Sequence, residues 1–104
     1  MAYPKVLLDL INSFRKLPGI GEKSAERLAL SVLDMTLDDV NNFSSSLVNS
    51  REKLHPCKEC GHITEDELCN ICSNPLRNRN VICVLEDYKS VFAFEKVGNY
   101  NGVY

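Results

Sequence analysis

The chain has 104 residues, 44% of them hydrophobic and 25% charged, with no tryptophan and a formal net charge of −2. That size suffices for one or two small domains, and no apolar run reaches the roughly 18 residues that a membrane-spanning helix needs. The slight acidic excess excludes nucleic-acid binding by bulk charge, so any such binding must come from a local basic patch.

From Pro4 to Leu17 the apolar residues Val6, Leu7, Leu10, Ile11, Phe14 and Leu17 recur at steps of three and four. This spacing predicts an amphipathic helix with Pro4 near its first turn. Leu17-Pro18-Gly19-Ile20-Gly21 breaks it, because proline cannot continue a helix and two glycines flank a single apolar residue. A second helix is predicted from Glu22 to Leu33, with Ala25, Leu28, Ala29, Val32 and Leu33 on one face and Leu30 on the opposite one. Leu30, with Leu8 at the edge of the first stripe, is expected to meet a second chain. Thr36-Leu37-Asp38-Asp39 has the form of a capping box, with Thr36 capping and Asp39 reaching back to its amide. The helix it opens is expected to run to about Leu54 and to bury Leu37, Val40, Phe43, Leu47 and Leu54. Ser44-Ser45-Ser46 weakens its middle, and Pro56 ends it.

Next come Cys57-Lys58-Glu59-Cys60-Gly61 and, shortly after, Cys69-Asn70-Ile71-Cys72. Two Cys-x-x-Cys pairs this close supply four soft ligands, the tetrahedral set Zn²⁺ prefers. Gly61 tolerates positive φ and lets amides approach the thiolates; the matching position in the second knuckle is Ser73, a less ideal residue. Four sulfurs leave no open coordination position, so the zinc is expected to be structural rather than catalytic. Rubredoxin-like iron and a pair of disulfides are the competing readings. No signal peptide is evident, which points to a reducing cytosol and against disulfides. Four thiolates around one dication add two further negative charges. The segment has room for little beyond a small hairpin and no core without metal. His55 and His62 beside it are expected at the surface; His62 is a conceivable substitute ligand, but the cysteines suffice.

Leu76 to Asn80 reads as a polar connector, and Val81 to Glu86 as a buried strand in which Cys83 is a small buried hydrophobe. Val91, Phe92, Phe94 and Glu95 suit a short helix stopped near Gly98, and Asn101 to Tyr104 looks like the start of another strand. This last portion reads as the opening of a domain that continues further, since a strand–helix–strand start cannot close its own core.

The hairpin Pro18-Gly19-Ile20-Gly21 between two amphipathic helices forms a helix-hairpin-helix pattern suited to phosphate. Its glycines remove Cβ atoms that would hold a DNA backbone away, Ile20 anchors the loop, and the free amides of the second helix point outward. Lys23 and Arg27, four apart on that helix, and Arg15 and Lys16 from the preceding turn supply cations. Such groups position DNA without reading its sequence.

The run Lys16-Leu17-Pro18-Gly19-Ile20-Gly21-Glu22-Lys23-Ser24-Ala25-Glu26-Arg27-Leu28-Ala29 closely resembles the bacterial recombination mediator family RecR. The four-cysteine module, Val81 to Glu86, and Phe94 to Tyr104 continue the likeness in family order over essentially the whole chain. The resemblance implies a non-enzymatic DNA-repair protein that acts with RecO, and in some cases RecF, to load recombinase on single-stranded DNA. It implies a bacterial cytoplasmic, nucleoid-associated protein that binds duplex DNA and single-strand/duplex junctions. Family basic residues of the hairpin carry over to Lys23 and Arg27. The expected fold is a mainly α helix-hairpin-helix DNA-binding and dimerisation domain (1–55), a zinc module (56–75) and a partial α/β Toprim domain (76–104). Glu86 matches the first acidic Toprim position, while the paired downstream aspartates are missing. A homodimer is therefore expected here, in place of the family's tetrameric ring.

Three other readings compete. An enzyme would need a catalytic constellation, and Glu86 alone cannot hold a catalytic Mg²⁺. A DNA-ligase-like accessory region would place its zinc module before the hairpins. A zinc-stapled protein-interaction module would leave Lys23 and Arg27 without a DNA role.

Overall fold

The computed structural model describes residues 2–104. They form two compact units, divided between Ser46 and Leu47. In the first, α1 (Lys5–Arg15) packs on α2 (Glu22–Val32). Ala25 and Ala29 are wholly buried, and their small side chains let the helices approach; Ile11 fills the seam between them. Tyr3, Leu7, Leu10, Phe14 and Ile20 pack around this centre. The seam is narrower than the periodicity predicts. Val6, Leu17, Leu28 and Leu33 stay exposed, because a single helix pair has only one buried stripe.

α3 (Leu37–Lys53) begins where expected, with the Asp39 amide donating to Thr36 Oγ1 at 3.1 Å. Only this half of the capping box forms; the Asp39 side chain makes no return bond. The expected burial along α3 is overturned: none of its residues is buried. Leu37, Phe43, Leu47 and the following Leu54 are exposed, and Val40 is half-buried. α1 and α2 close their seam with their own side chains. α3 instead stands on its cap and on its charges, with Asp38 and Asp39 in the first turn and Arg51 and Lys53 in the last.

In the second unit, β1 (His55–Pro56) and β2 (Ile63–Thr64) form a minimal antiparallel hairpin. β3 (Asn78–Ile82), α4 (Lys89–Val97) and β4 (Gly102–Val103) follow, with β3 and β4 parallel. The expected buried strand from Val81 to Glu86 is corrected in place and in burial. β3 starts inside the polar connector, ends at Ile82 and is exposed throughout. Val84 is also exposed, and Cys83 and Leu85 are half-buried. The reason is that β4 contributes two residues only and its register with β3 shifts between Asn78 and Ile82, so no layer covers the apolar run. α4 stops on Gly98 at φ 83°, a left-handed cap, as expected.

The strand–helix–strand part is not without a core. Val91 of α4 and Val103 of β4 are buried in one cluster with Cys57, Cys69, Ile71 and Cys72. Arg77 ties the pieces together: it pairs with Glu95 and donates to the carbonyls of Tyr100 and Gly102, both at 3.1 Å. Tyr104 donates to the other Glu95 oxygen at 2.6 Å. Burial opposes the Glu95 charge, but these hydrogen bonds prevail and hold its carboxyl below the usual range.

The helix seam makes a direct test. Replacing Ala29 with leucine adds bulk where none fits and should destabilise the helix pair by about 1–3 kcal/mol. Denaturant titration followed by circular dichroism checks this; an unchanged midpoint would show that the seam is not the core of that unit.

Candidate metal centre and nucleic-acid interface

Two knuckles of like construction bring four sulfurs together. The Gly61 amide donates to the Cys57 carbonyl at 2.9 Å, and the Ser73 amide to the Cys69 carbonyl at 3.0 Å. The first turn closes with Gly61 at φ 80°, as its sequence predicts. The second closes without any positive φ; the Ser73 hydroxyl adds a bond to the Cys69 carbonyl at 2.9 Å. The hairpin joins the knuckles, with the Cys57 amide donating to the His62 carbonyl and the Lys58 amide to the Glu67 carbonyl at 3.1 Å. Cys57, Cys60, Cys69 and Cys72 then lie with all four sulfurs within 4.8 Å of one another.

The donor set fits a tetrahedral dication. For zinc–sulfur bonds of about 2.3 Å, the sulfur–sulfur edges of a tetrahedron are about 3.8 Å, and Cys60 and Cys69 stand 3.6 Å apart. Backbone amides already face the sulfurs. Cys69 N–H donates to Cys57 Sγ at 3.2 Å, His62 N–H to Cys60 Sγ at 3.4 Å, and Cys72 N–H to Cys69 Sγ at 3.4 Å. Such bonds disperse thiolate charge and orient the ligands. At Cys57 burial raises the thiol, but amides of the knuckles outweigh it and bring it down to about 6. Burial, followed by the neighbouring sulfurs, pushes Cys72 up, and burial also raises Cys60. Thiolates this close repel one another, which is what a central cation relieves. With three of the four sulfurs buried and all positions taken by sulfur, the site suits structure rather than water activation.

The histidines divide. His55 is exposed, with Nε2 3.1 Å from the Glu65 carbonyl. His62, expected at the surface, is half-buried: its ring meets Phe92 edge-on at 4.9 Å, and Nδ1 is buried without a hydrogen-bond partner. It stands outside the sulfur cluster. Phe92 on α4 draws it inward, a contact no local pattern encodes.

In the helix pair, Gly19 takes φ 82°, which only glycine adopts freely. Gly21 differs: its backbone is extended at φ −81°, and a Cβ there would meet nothing within 4 Å. It serves as the N-cap of α2 with no side-chain cap, leaving the first amides uncovered. Ile20 packs on the Ile11–Ala25–Ala29 centre and holds the loop down. Arg15, Lys16, Lys23 and Arg27 are exposed, and among the described residues none of the four is in an ion pair. Sequence reasoning passed over Arg77 and Arg79 as connector. Arg79 reaches the Cys72 carbonyl and the Glu59 carboxylate; two arginines two residues apart beside a metal module were the available signal.

A helix-hairpin-helix followed by a four-cysteine zinc finger defines the class of protein. Comparison carries it further. A family model for the RecR helix-hairpin-helix matches residues 7–51, and one for the RecR four-cysteine zinc finger domain matches residues 54–74. Similar over the whole chain are proteins called recombination protein RecR from Lactobacillus delbrueckii subsp. bulgaricus, 53% identical, Staphylococcus saprophyticus, 54%, and Staphylococcus aureus, 53%. The chain belongs to the RecR family. It spans about half the length of these relatives, 52% of each. Neither matched family model describes an enzyme. Among the described residues, no helix is long and apolar enough to cross a membrane.

Its cofactor is one structural zinc ion, for which the four sulfurs are the fitting ligands. Elemental analysis of reduced protein should give one zinc per chain, and Cys69→Ser should abolish it. Acid should also release the metal. Binding needs thiolates, so lowering the pH returns protons to sulfur and removes the stability the metal adds. Iron in place of zinc, or zinc retained by the Cys69→Ser variant, would contradict the assignment.

Proposed function

We propose that this chain is a non-enzymatic recombination mediator that binds DNA phosphates through its hairpin without reading sequence. The observation that carries this is the juxtaposition at the α2 N-terminus. The loop is held at Gly19 and anchored by Ile20, the first amides of α2 have no side-chain cap, and Arg15, Lys16, Lys23 and Arg27 on the flanking turns are in no ion pair among the described residues. Amides and the positive helix end fix a phosphate, and mobile cations follow the backbone on either side. Gly21 contributes by leaving its amide neighbours uncovered. On this reading the partners are duplex DNA and single-strand/duplex junctions, with RecO and, in some cases, RecF as protein partners in loading recombinase. The setting is the nucleoid of a bacterial cytoplasm.

Residues 1–55 then serve DNA binding and dimerisation, 56–75 hold zinc, and 76–104 open a Toprim domain. The parallel β3–α4–β4 arrangement supports the last assignment. On this reading Glu86, exposed in the loop between β3 and α4, is the first acidic position of that domain.

If one hairpin touches about three phosphates, the log–log salt dependence of duplex binding should have a slope near −3. Reversing the charge of Lys23 and Arg27 together should weaken binding equally on unrelated sequences. Unchanged affinity in that double variant would favour the second reading, a zinc-stapled protein-interaction module. The unburied apolar residues of α3, Leu37, Phe43, Leu47 and Val48, are the observation on its side.

Unburied apolar residues also support self-association through 1–55. Leu37 and Phe43, with Leu30, 43% exposed, are apolar surface that a two-fold related copy would cover. Light scattering across a concentration series should show a dimer. A strict monomer would remove this interface, and a stable tetramer would show ring closure from this chain alone.

A further inference from the structure

The zinc module and the β3–α4–β4 segment meet in three separate ways. First, they share one apolar core: Val91 and Val103 are buried in one cluster with Cys57, Cys69, Ile71 and Cys72, with Leu68, Leu85 and Tyr104 packed around. Second, the half-buried His62 of the zinc loop meets Phe92 of α4 edge-on. Third, the Arg79 guanidinium spans both knuckles, donating to the Cys72 carbonyl in one and, at 3.3 Å, to the Glu59 carboxylate in the other. Two residues earlier, Arg77 holds α4 through Glu95 and β4 through the Tyr100 and Gly102 carbonyls.

Within residues 55–104, neither part has a core apart from the other. The knuckles contribute mostly sulfur to the buried cluster, and four thiolates without a cation repel one another. β3 buries no residue at all, and α4 and β4 contribute only Val91 and Val103 to the cluster, with Gly102 closing the approach of β4 to β3. A cluster of this size is held or lost together.

We propose that zinc is a latch for the whole of residues 55–104, with Arg79 as the positioning residue that ties both knuckles to β3, the strand that pairs with β4 and follows Arg77, which holds α4. Loss of the ion splays the knuckles, withdraws the Cys72 carbonyl from Arg79 and opens the floor under Val91 and Val103. By reciprocity, contacts distant from the sulfurs slow metal release. This rests on the zinc site and not on the DNA reading.

The test uses the full chain under reducing conditions, with metal removed by chelation and its removal verified by elemental analysis. Hydrogen exchange is then followed by mass spectrometry. Amides of α4 and β4 should lose protection together with the zinc loop, by at least roughly ten-fold in exchange rate, equivalent to about 1.4 kcal/mol. Those of α1 and α2 should not change. Retained protection in α4 and β4 while the loop opens would overturn the proposal. A second measurement times zinc release to a colorimetric chelator. Arg79→Ala, a half-exposed position that should fold, should release zinc about five-fold faster, the worth of a charge-assisted bond discounted for solvent. Arg79→Lys keeps the charge but cannot span two acceptors, so its rate should fall between. Val91→Ala should also speed release, whereas Ile11→Val in the helix pair should not. Wild-type release rates in both Arg79→Ala and Val91→Ala would likewise overturn it.

Discussion

Four cysteine sulfurs within 4.8 Å of one another are an electrostatic demand before they are a structure, because thiolates this close repel unless a cation sits between them. The second half of the chain is organised around meeting that demand. Its hairpin is two residues per strand, its knuckles close with one amide–carbonyl bond each, and the loop's own Ile71 is joined at the buried centre by Val91 of α4 and Val103 of β4. A segment with so little to bury gains its free energy of folding from metal coordination.

The helix pair follows a different logic. Its seam needs no ligand: two alanines and an isoleucine allow close contact, and the remaining apolar residues flank it. What the seam achieves for function is to fix a loop. Ile20 is drawn onto the buried centre, Gly19 supplies the left-handed turn, and α2 starts without a side-chain cap on its first amides. Arg15, Lys16, Lys23 and Arg27 stand exposed on the turns around this loop although the chain as a whole is acidic. Local arrangement, not net charge, decides whether a phosphate backbone is attracted.

α3 and β3 show a common feature of opposite origin. Both carry apolar residues with nothing over them, Phe43 and Leu47 on the helix, Val81 and Ile82 on the strand. α3 is long, well capped and charge-complemented, so it forms without burial. β3 has a short partner in an irregular register, so pairing alone gives it no covering layer. In each case secondary structure is satisfied by local bonds while the apolar face stays uncovered.

Helix starts, the Gly98 stop, the Gly19 and Gly61 turns and the metal ligands were all legible in the sequence. Each depends on chemistry within a few residues: a cap, a positive φ, a thiol spacing. Burial was not. That Leu37 and Phe43 stay in water, that β3 slides back to Asn78, and that His62 turns inward onto Phe92 depend on which elements happen to lie opposite. The same holds for Arg79, a connector residue by composition that spans both zinc knuckles in the folded chain. Periodicity states which face a segment would bury; only the tertiary structure supplies, or withholds, the partner that buries it, because hydrophobic free energy is gained by area covered and not by pattern.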